Sequence, residues 1–213
     1  VSSGEYELAM FPLGLTLVPG AALPLRLFEP RYRVLVHDMQ VGDIPREFGT
    51  VLIDRGREVG GGDVRFAVGC VAKVVHIQPL DPEETQWHVV AVGDRRIRVQ
   101  EWLPEDPYPR ARVADWRDPE PAARAPELLA RAHATLRRLL ALVAELGRPV
   151  PELDHDLDVD LATASFQLLA LAPLGDLDRM KLLAASSVEE RLEQLDQLLV
   201  EETALLARRL AGG

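Results

Sequence analysis

Apolar and polar positions follow two different rhythms along this chain. Through residue 115 the apolar residues come in short, β-branched runs separated by glycine and proline, which is the pattern of strands and turns. The runs predict strands over Glu7–Leu17, Glu47–Asp54, Phe66–Gln78, Gln86–Val99 and Arg110–Asp115. The third and fourth form a long hairpin across an acidic tip, with Pro79 and Pro82 ending the pairing and Gly93–Asp94 bending or bulging the second arm. One helix interrupts the strands: Tyr32, Leu35, Val36 and Met39 fall at helical spacing behind Pro30, which suits a first helical turn.

Beyond residue 118 the period becomes helical. Leu129, Ala132, Leu136, Leu139, Leu140, Val143 and Leu146 make one stripe, ended by Gly147 and Pro149. Leu161, Ala164, Leu168 and Leu171 make a second, and a short helix follows over Leu177–Ala185. Val188, Leu192, Leu195, Leu199, Leu206 and Leu210 mark a long last helix. The proline-rich stretch Asp118–Pro126 joins the halves, so the expected units are 1–117, rich in β-structure, and 118–213, all helical.

Composition narrows the class. The 213 residues are 47% hydrophobic and 27% charged, which places the chain among soluble globular proteins. No run of 18 apolar residues occurs, and VSSGEYELAM lacks the order of a signal peptide. A single cysteine, Cys70, rules out an internal disulfide framework and makes a reducing, cytoplasmic setting the expectation. The net charge of −10 opposes attraction to phosphate backbones or anionic lipid. It is concentrated in the helical half, where residues 118–213 carry 10 basic against 17 acidic side chains.

Specific strings then change the picture. FPL at Phe11–Leu13, VPG at Val18–Gly20, LPL at Leu23–Leu25 and FEPRY at Phe28–Tyr32 occur in that order. FGTVLI at Phe48–Ile53, VGCVAKVV at Val68–Val75, VGDRRIRV at Val92–Val99 and PYPRARV at Pro107–Val113 follow. Together they closely resemble the N-terminal substrate-binding domain of the Lon protease family, over nearly the whole chain. The resemblance implies an α+β protein, a PUA-like β pseudo-barrel with an inserted helix followed by an all-α helical bundle. It also implies recognition of polypeptide rather than catalysis. Lon proteases carry a G-x-x-x-x-G-K-[ST] phosphate loop and a Ser–Lys dyad in further domains, and this sequence has neither string nor room for them. A non-enzymatic, stand-alone recognition domain without cofactor or metal is the expectation.

The remaining chemistry-bearing residues read as structure. Asp154, Asp156, Asp158 and Asp160 alternate, but Val159 and Ser165 stand where a calcium loop needs glycine and glutamate, so the tract reads as an acidic linker capping the helix at Leu161. Ser186 and Ser187, followed by Glu189 and Glu190, read as a helix cap rather than as partners of Lys181 in a dyad. Cys70 reads as a small buried strand residue. His37, His76, His88, His133 and His155 show no ligand spacing, although His76 and His88 face each other across the hairpin. Gly60–Gly62 has no following lysine and reads as a loop. Arg95, Arg96, Arg98, Arg110 and Arg112 support the alternative, a nucleic-acid-binding PUA-like module, but Asp94, Glu101, Glu105 and Asp106 interleave with them.

The FEPRY motif has a structural reading first: Phe28 anchors in the core, Glu29 and Arg31 pair, and Tyr32 packs. Binding is placed in an apolar groove at the seam between the halves, lined by Leu25, Phe28, Trp87 and Trp102 with Arg26 or Arg33 at the rim. The partner is an unfolded polypeptide or a partner protein.

Overall fold

The computed structural model describes residues 4–55, 64–151 and 157–211. Gly60–Gly62, Asp154, His155 and Asp156 lie outside them. The chain divides into two compact units, Val1–Arg117 and Asp118–Gly213.

The first unit contains β1 (Tyr6–Leu13), β2 (Ala22–Leu27), α1 (Pro30–Val41), β3 (Glu47–Arg55), β4 (Val64–Pro79), β5 (Trp87–Leu103) and β6 (Arg110–Asp115). The strands form one sheet in the order β2-β5-β4-β3-β1-β6, and β5 also pairs with β6, so five strands close into a barrel with β2 outside the ring. The 17 residues of β5 allow this: Trp87–Val92 carry β2, while Ile97–Leu103 carry β6. Between the two stretches Asp94 is an extra residue, since Val71 pairs with Arg95 and Ala72 with Gly93. The predicted bulge is there and turns β5 from one partner to the other. Gly93 is obligatory at that corner, because a Cβ would collide with the carbonyl oxygen of Val18.

Alternation along the strands separates two apolar clusters. Leu8, Met10, Val51, Val71, Ile97, Ala111 and Val113 form one. Phe11, Leu13, Phe48, Cys70, Ala72, Val89 and Ala91 belong to the other, which receives Tyr32, Leu35, Val36 and Met39 from α1. Arg95 ties the strands at the rim. Its guanidinium donates to Glu47 (2.9 and 3.0 Å), Asp94 (2.9 Å), Asp115 (3.1 Å) and the Tyr6 hydroxyl (3.0 Å).

Several elements depart from the sequence reading, among them β5, which runs to Leu103, four residues past Val99. The first strand ends at Leu13, four residues before Leu17, and β2 is a strand that the run around Pro24 did not predict. Proline argues against a strand only where the ladder needs its N–H. The bond from the Gly93 N–H to the Ala21 carbonyl (2.9 Å) sets the phase of the β2–β5 ladder, so Leu23, Leu25 and Leu27 exchange bonds with β5. Ala22, Pro24 and Arg26 turn their backbone groups away from β5, and Pro24 costs the ladder nothing.

The second unit contains α2 (Ala125–Glu145), α3 (Leu161–Leu171), α4 (Asp176–Leu183) and α5 (Val188–Ala211). The α2 stripe is buried as predicted from Ala132 to Val143, but Leu128 takes the place of Leu129 in the core and Leu146 is exposed beyond the helix. Asp196 of α5 binds Arg131 (2.8 Å) and Thr135 (2.7 Å) of α2. Asp160 caps α3 through the Thr163 N–H (2.8 Å). Ser187 caps α5 through the Glu190 N–H (3.2 Å), and the Glu190 carboxylate takes the Ser186 N–H (2.7 Å). Arg191 is fully buried, bonded to Asp118 (2.8 Å) and Ser165 (2.9 Å) and stacked on Phe166 (3.8 Å). No helix among the described residues is long and apolar enough to cross a membrane.

Candidate functional site

The turn from β2 into α1 leaves a hollow of about 100 Å³ in the first unit. Phe11 and Leu13 of β1, Leu25, Arg26 and Leu27 of β2, Phe28 and Glu29 of the turn, and Tyr32 of α1 line it. Its back wall is rigid. Tyr32 is 2% exposed and lies 4.0 Å, centroid to centroid, from Phe11, which in turn lies 5.9 Å from Phe48.

Pro30 starts α1 with a fixed φ and no N–H to satisfy. Glu29 makes no side-chain cap there, because its carboxylate accepts from Arg31 Nε (3.1 Å), the pairing expected within the motif. Arg31 also lies 4.6 Å from the centre of the Tyr32 ring. Burial pushes the Tyr32 phenol up to about 12, so it stays protonated.

Phe28 is the surprise of the site. It is 56% exposed at the mouth of the hollow, so the expectation that it anchors in the core is corrected. The strand's inward positions are Leu23, Leu25 and Leu27; the ring one step later, on the turn, falls on the other side. Tyr32 fills the core place instead. Arg26 is exposed at the rim, its Nε donating to Gln86 Oε1 (2.9 Å) and its terminal nitrogen to the same oxygen.

Three of the candidate residues, Leu25, Arg26 and Phe28, therefore meet in one place, and the other three do not. Arg33 is partly exposed on α1 but does not line the hollow. Trp87 is 5% exposed, packed in the α1-side core with its Nε1 donating to the Glu84 carbonyl (3.1 Å), so it rims no groove. Strand parity puts it inward with Val89 and Ala91. Trp102 packs against the other cluster, covered by the Arg65 guanidinium at 4.2 Å. Phe11, Leu13, Leu27, Glu29 and Tyr32 were not predicted as lining. For Phe11, Leu13 and Leu27 the signal was the i, i+2 alternation within FPL and LPLRL; for Tyr32 it was the helical spacing with Leu35, Val36 and Met39.

Chemically, this lining offers apolar contact surface and few reactive groups. Its one carboxylate is held by Arg31, its one phenol is kept neutral, and no thiol, imidazole or alkyl hydroxyl faces it. Elsewhere, burial pushes the Cys70 thiol up to about 12, leaving it inert. The His76 and His88 rings lie 6.3 Å apart edge to face, and among the described residues no group of three or more His, Cys, Asp or Glu is placed to hold a metal. Lys181 pairs with Asp178 (2.9 Å), while the serines cap α5.

Comparison with known proteins identifies the family. Residues 7–201 match the family described as the ATP-dependent protease La (LON) substrate-binding domain. "Lon protease 2" of Herpetosiphon aurantiacus is 29% identical over 147 residues, 66% of this chain and 17% of that protein. "Lon protease" of Cytophaga hutchinsonii is 25% identical over 200 residues, 90% of this chain and 24% of its own length. The chain thus spans a quarter or less of these relatives. The crystal structure of the Lon N-terminal domain protein from Xanthomonas campestris superposes with a TM-score of 0.62 at 26% identity, covering 89% of this chain and 96% of that one. The N-terminal domain of Mycobacterium avium complex Lon protease shares the fold at a TM-score of 0.61 and 16% identity, covering 93% and 98%. This chain belongs to the Lon substrate-binding domain family.

Proposed function

We propose that the chain is a non-catalytic, cytoplasmic recognition module that binds exposed apolar segments of polypeptides at the hollow beside Phe28. The observation that carries this reading is the exposed Phe28 ring over an apolar, preformed cavity with one cation at its rim. An aromatic so placed costs solvation in the free protein and gains it back against an apolar side chain. Membership in a substrate-binding family favours polypeptide as the ligand.

The nucleic-acid alternative loses its footing in the basic stretch. Arg95 is engaged by Glu47, Asp94 and Asp115, Arg112 by Glu101, and Arg110 lies 3.8 Å from Glu7, while Arg96 and Arg98 lie on the Trp116 ring. Stacking leaves the Arg96 and Arg98 charges in place, but the carboxylates on their neighbours weaken the local positive field that phosphates would need.

The test titrates the protein with a fluorescein-labelled, permanently unfolded polypeptide. Phe28→Asp should weaken binding by about tenfold or more while leaving the circular dichroism unchanged. Raising the salt should leave apolar binding nearly constant, whereas a steep loss would move the reading to phosphate-like ligands. Equal affinity of Phe28→Asp and the parent would place the site elsewhere.

A further inference from the structure

The hollow reaches the edge of a strand. Leu25 and Leu27 point to one side of β2 and Arg26 to the other, and all three border the same cavity where β2 turns into α1. β2 is the end strand of the sheet order, paired on one side with β5. The ladder phase set by the Gly93–Ala21 bond aims the N–H and C=O of Arg26 and the C=O of Pro24 outward. Among the described residues no backbone hydrogen bond meets these groups.

We propose, resting on the reading above, that the bound polypeptide adds as an antiparallel strand to the outer edge of β2, and that the edge selects an apolar–acidic–apolar alternation. In such a pair the guest residue opposite Arg26 gives its N–H to the Arg26 carbonyl and takes the Arg26 N–H at its own carbonyl. Its side chain projects on the same side as the Arg26 guanidinium, where a carboxylate is favoured. The residues before and after it project to the side of Leu25 and Leu27, which line the hollow. A cavity of about 100 Å³ takes one aliphatic side chain. Pro24 offers a carbonyl but no N–H, so the guest opposite it is bound through one hydrogen bond and the pairing is strongest at Arg26.

The experiment uses fluorescein-labelled Ser-Gly-Leu-Glu-Leu-Gly-Ser and fluorescence anisotropy with the full 213-residue chain. Methylating the glutamate nitrogen should weaken binding about tenfold, since it removes the donor facing Arg26 and adds bulk between the strands. Methylating the second leucine nitrogen, which points away from β2, should change affinity by less than about twofold. Replacing the glutamate by lysine should weaken binding by about threefold or more. On the protein side, Arg26→Pro removes the outward N–H without touching the β2–β5 ladder, and Arg26→Ala keeps it. Arg26→Pro should bind the peptide more weakly than Arg26→Ala. Parent and both methylated peptides binding alike would overturn strand addition while leaving the Phe28 hollow as the site. Sensitivity at the leucine nitrogen instead would also overturn the antiparallel register. A parent peptide that Phe28→Asp binds as well as the unaltered protein would overturn both.

Discussion

The barrel unit handles its aromatic side chains in two ways. Along β5 and just past β6, two tryptophans are covered: Trp102 by Arg65 at 4.2 Å, and Trp116 by Arg96 at 4.2 Å and Arg98 at 3.6 Å. At the end where β2 turns into α1, Tyr32 is sealed inside, and Phe28, four residues before it, stands 56% exposed with no ring or cation stacked on it among the described residues. A stacked guanidinium keeps an aromatic partly dry without a partner protein. An uncovered one leaves that free energy available to a ligand, and this contrast, not the number of aromatics, supports the proposed site.

The contrast can be broken most forcefully at its buried side. Tyr32→Ala should cost about 3–5 kcal/mol in chemical denaturation, because it empties a packed aromatic site, and Trp87→Ala should cost a similar amount. A small loss at either position would mean that the apparent core is a surface. Gly93→Ala should destabilise by about 1–3 kcal/mol, since the added methyl must displace Val18 where the turn touches β5.

The phenols sharpen the same point by pH. Burial raises Tyr6, Tyr32 and Tyr108 from 10.0 to about 12, with Tyr6 also donating to Asp115 (2.7 Å) and Tyr108 to Asp38 (2.9 Å). Between these values the folded protein holds protons that the unfolded chain has lost. Stability is therefore fully present below pH 10 and falls as pH rises toward 12. Tyr32→Phe should flatten part of that decline in urea midpoints measured across this window. An unchanged slope would place the phenol in water. The smaller effects lie at the exposed and covered rings: Trp102→Ala should cost about 1 kcal/mol and leave polypeptide affinity alone. Phe28→Ala should change stability by less than about 0.5 kcal/mol while weakening binding. If Trp102 and Phe28 exchanged these outcomes, the comparison would be reversed.

Where local chemistry dictates the conformation, the sequence was readable. The β4–β5 hairpin, its bulge at Asp94, the cap of α3 at Asp160 and the cap of α5 at Ser187 all follow from residue type and spacing. β2 was not readable, because whether Pro24 breaks a strand depends on the phase of a ladder to a residue about seventy positions away. The site was half readable. The motifs gathered Leu25, Arg26 and Phe28, but a turn residue has no period, and nothing in FEPRY says that Phe28 faces water while Tyr32 faces the core. Trp87 is the opposite case: the sequence reading set it at the groove although alternation with Val89 and Ala91 points it inward, and it is 5% exposed.

Pro24 has one more consequence. An exposed strand edge is a template for copies of itself, and a protein that handles unfolded chains meets many chances to be drawn into their aggregates. Two β2 edges brought together antiparallel about Pro24 would set one ring against another with no N–H between them, so the edge mates poorly with its own kind. A guest strand carrying its own donors has no such handicap. The missing hydrogen would let the edge take the proposed guest strand while pairing poorly, about Pro24, with a second copy of itself.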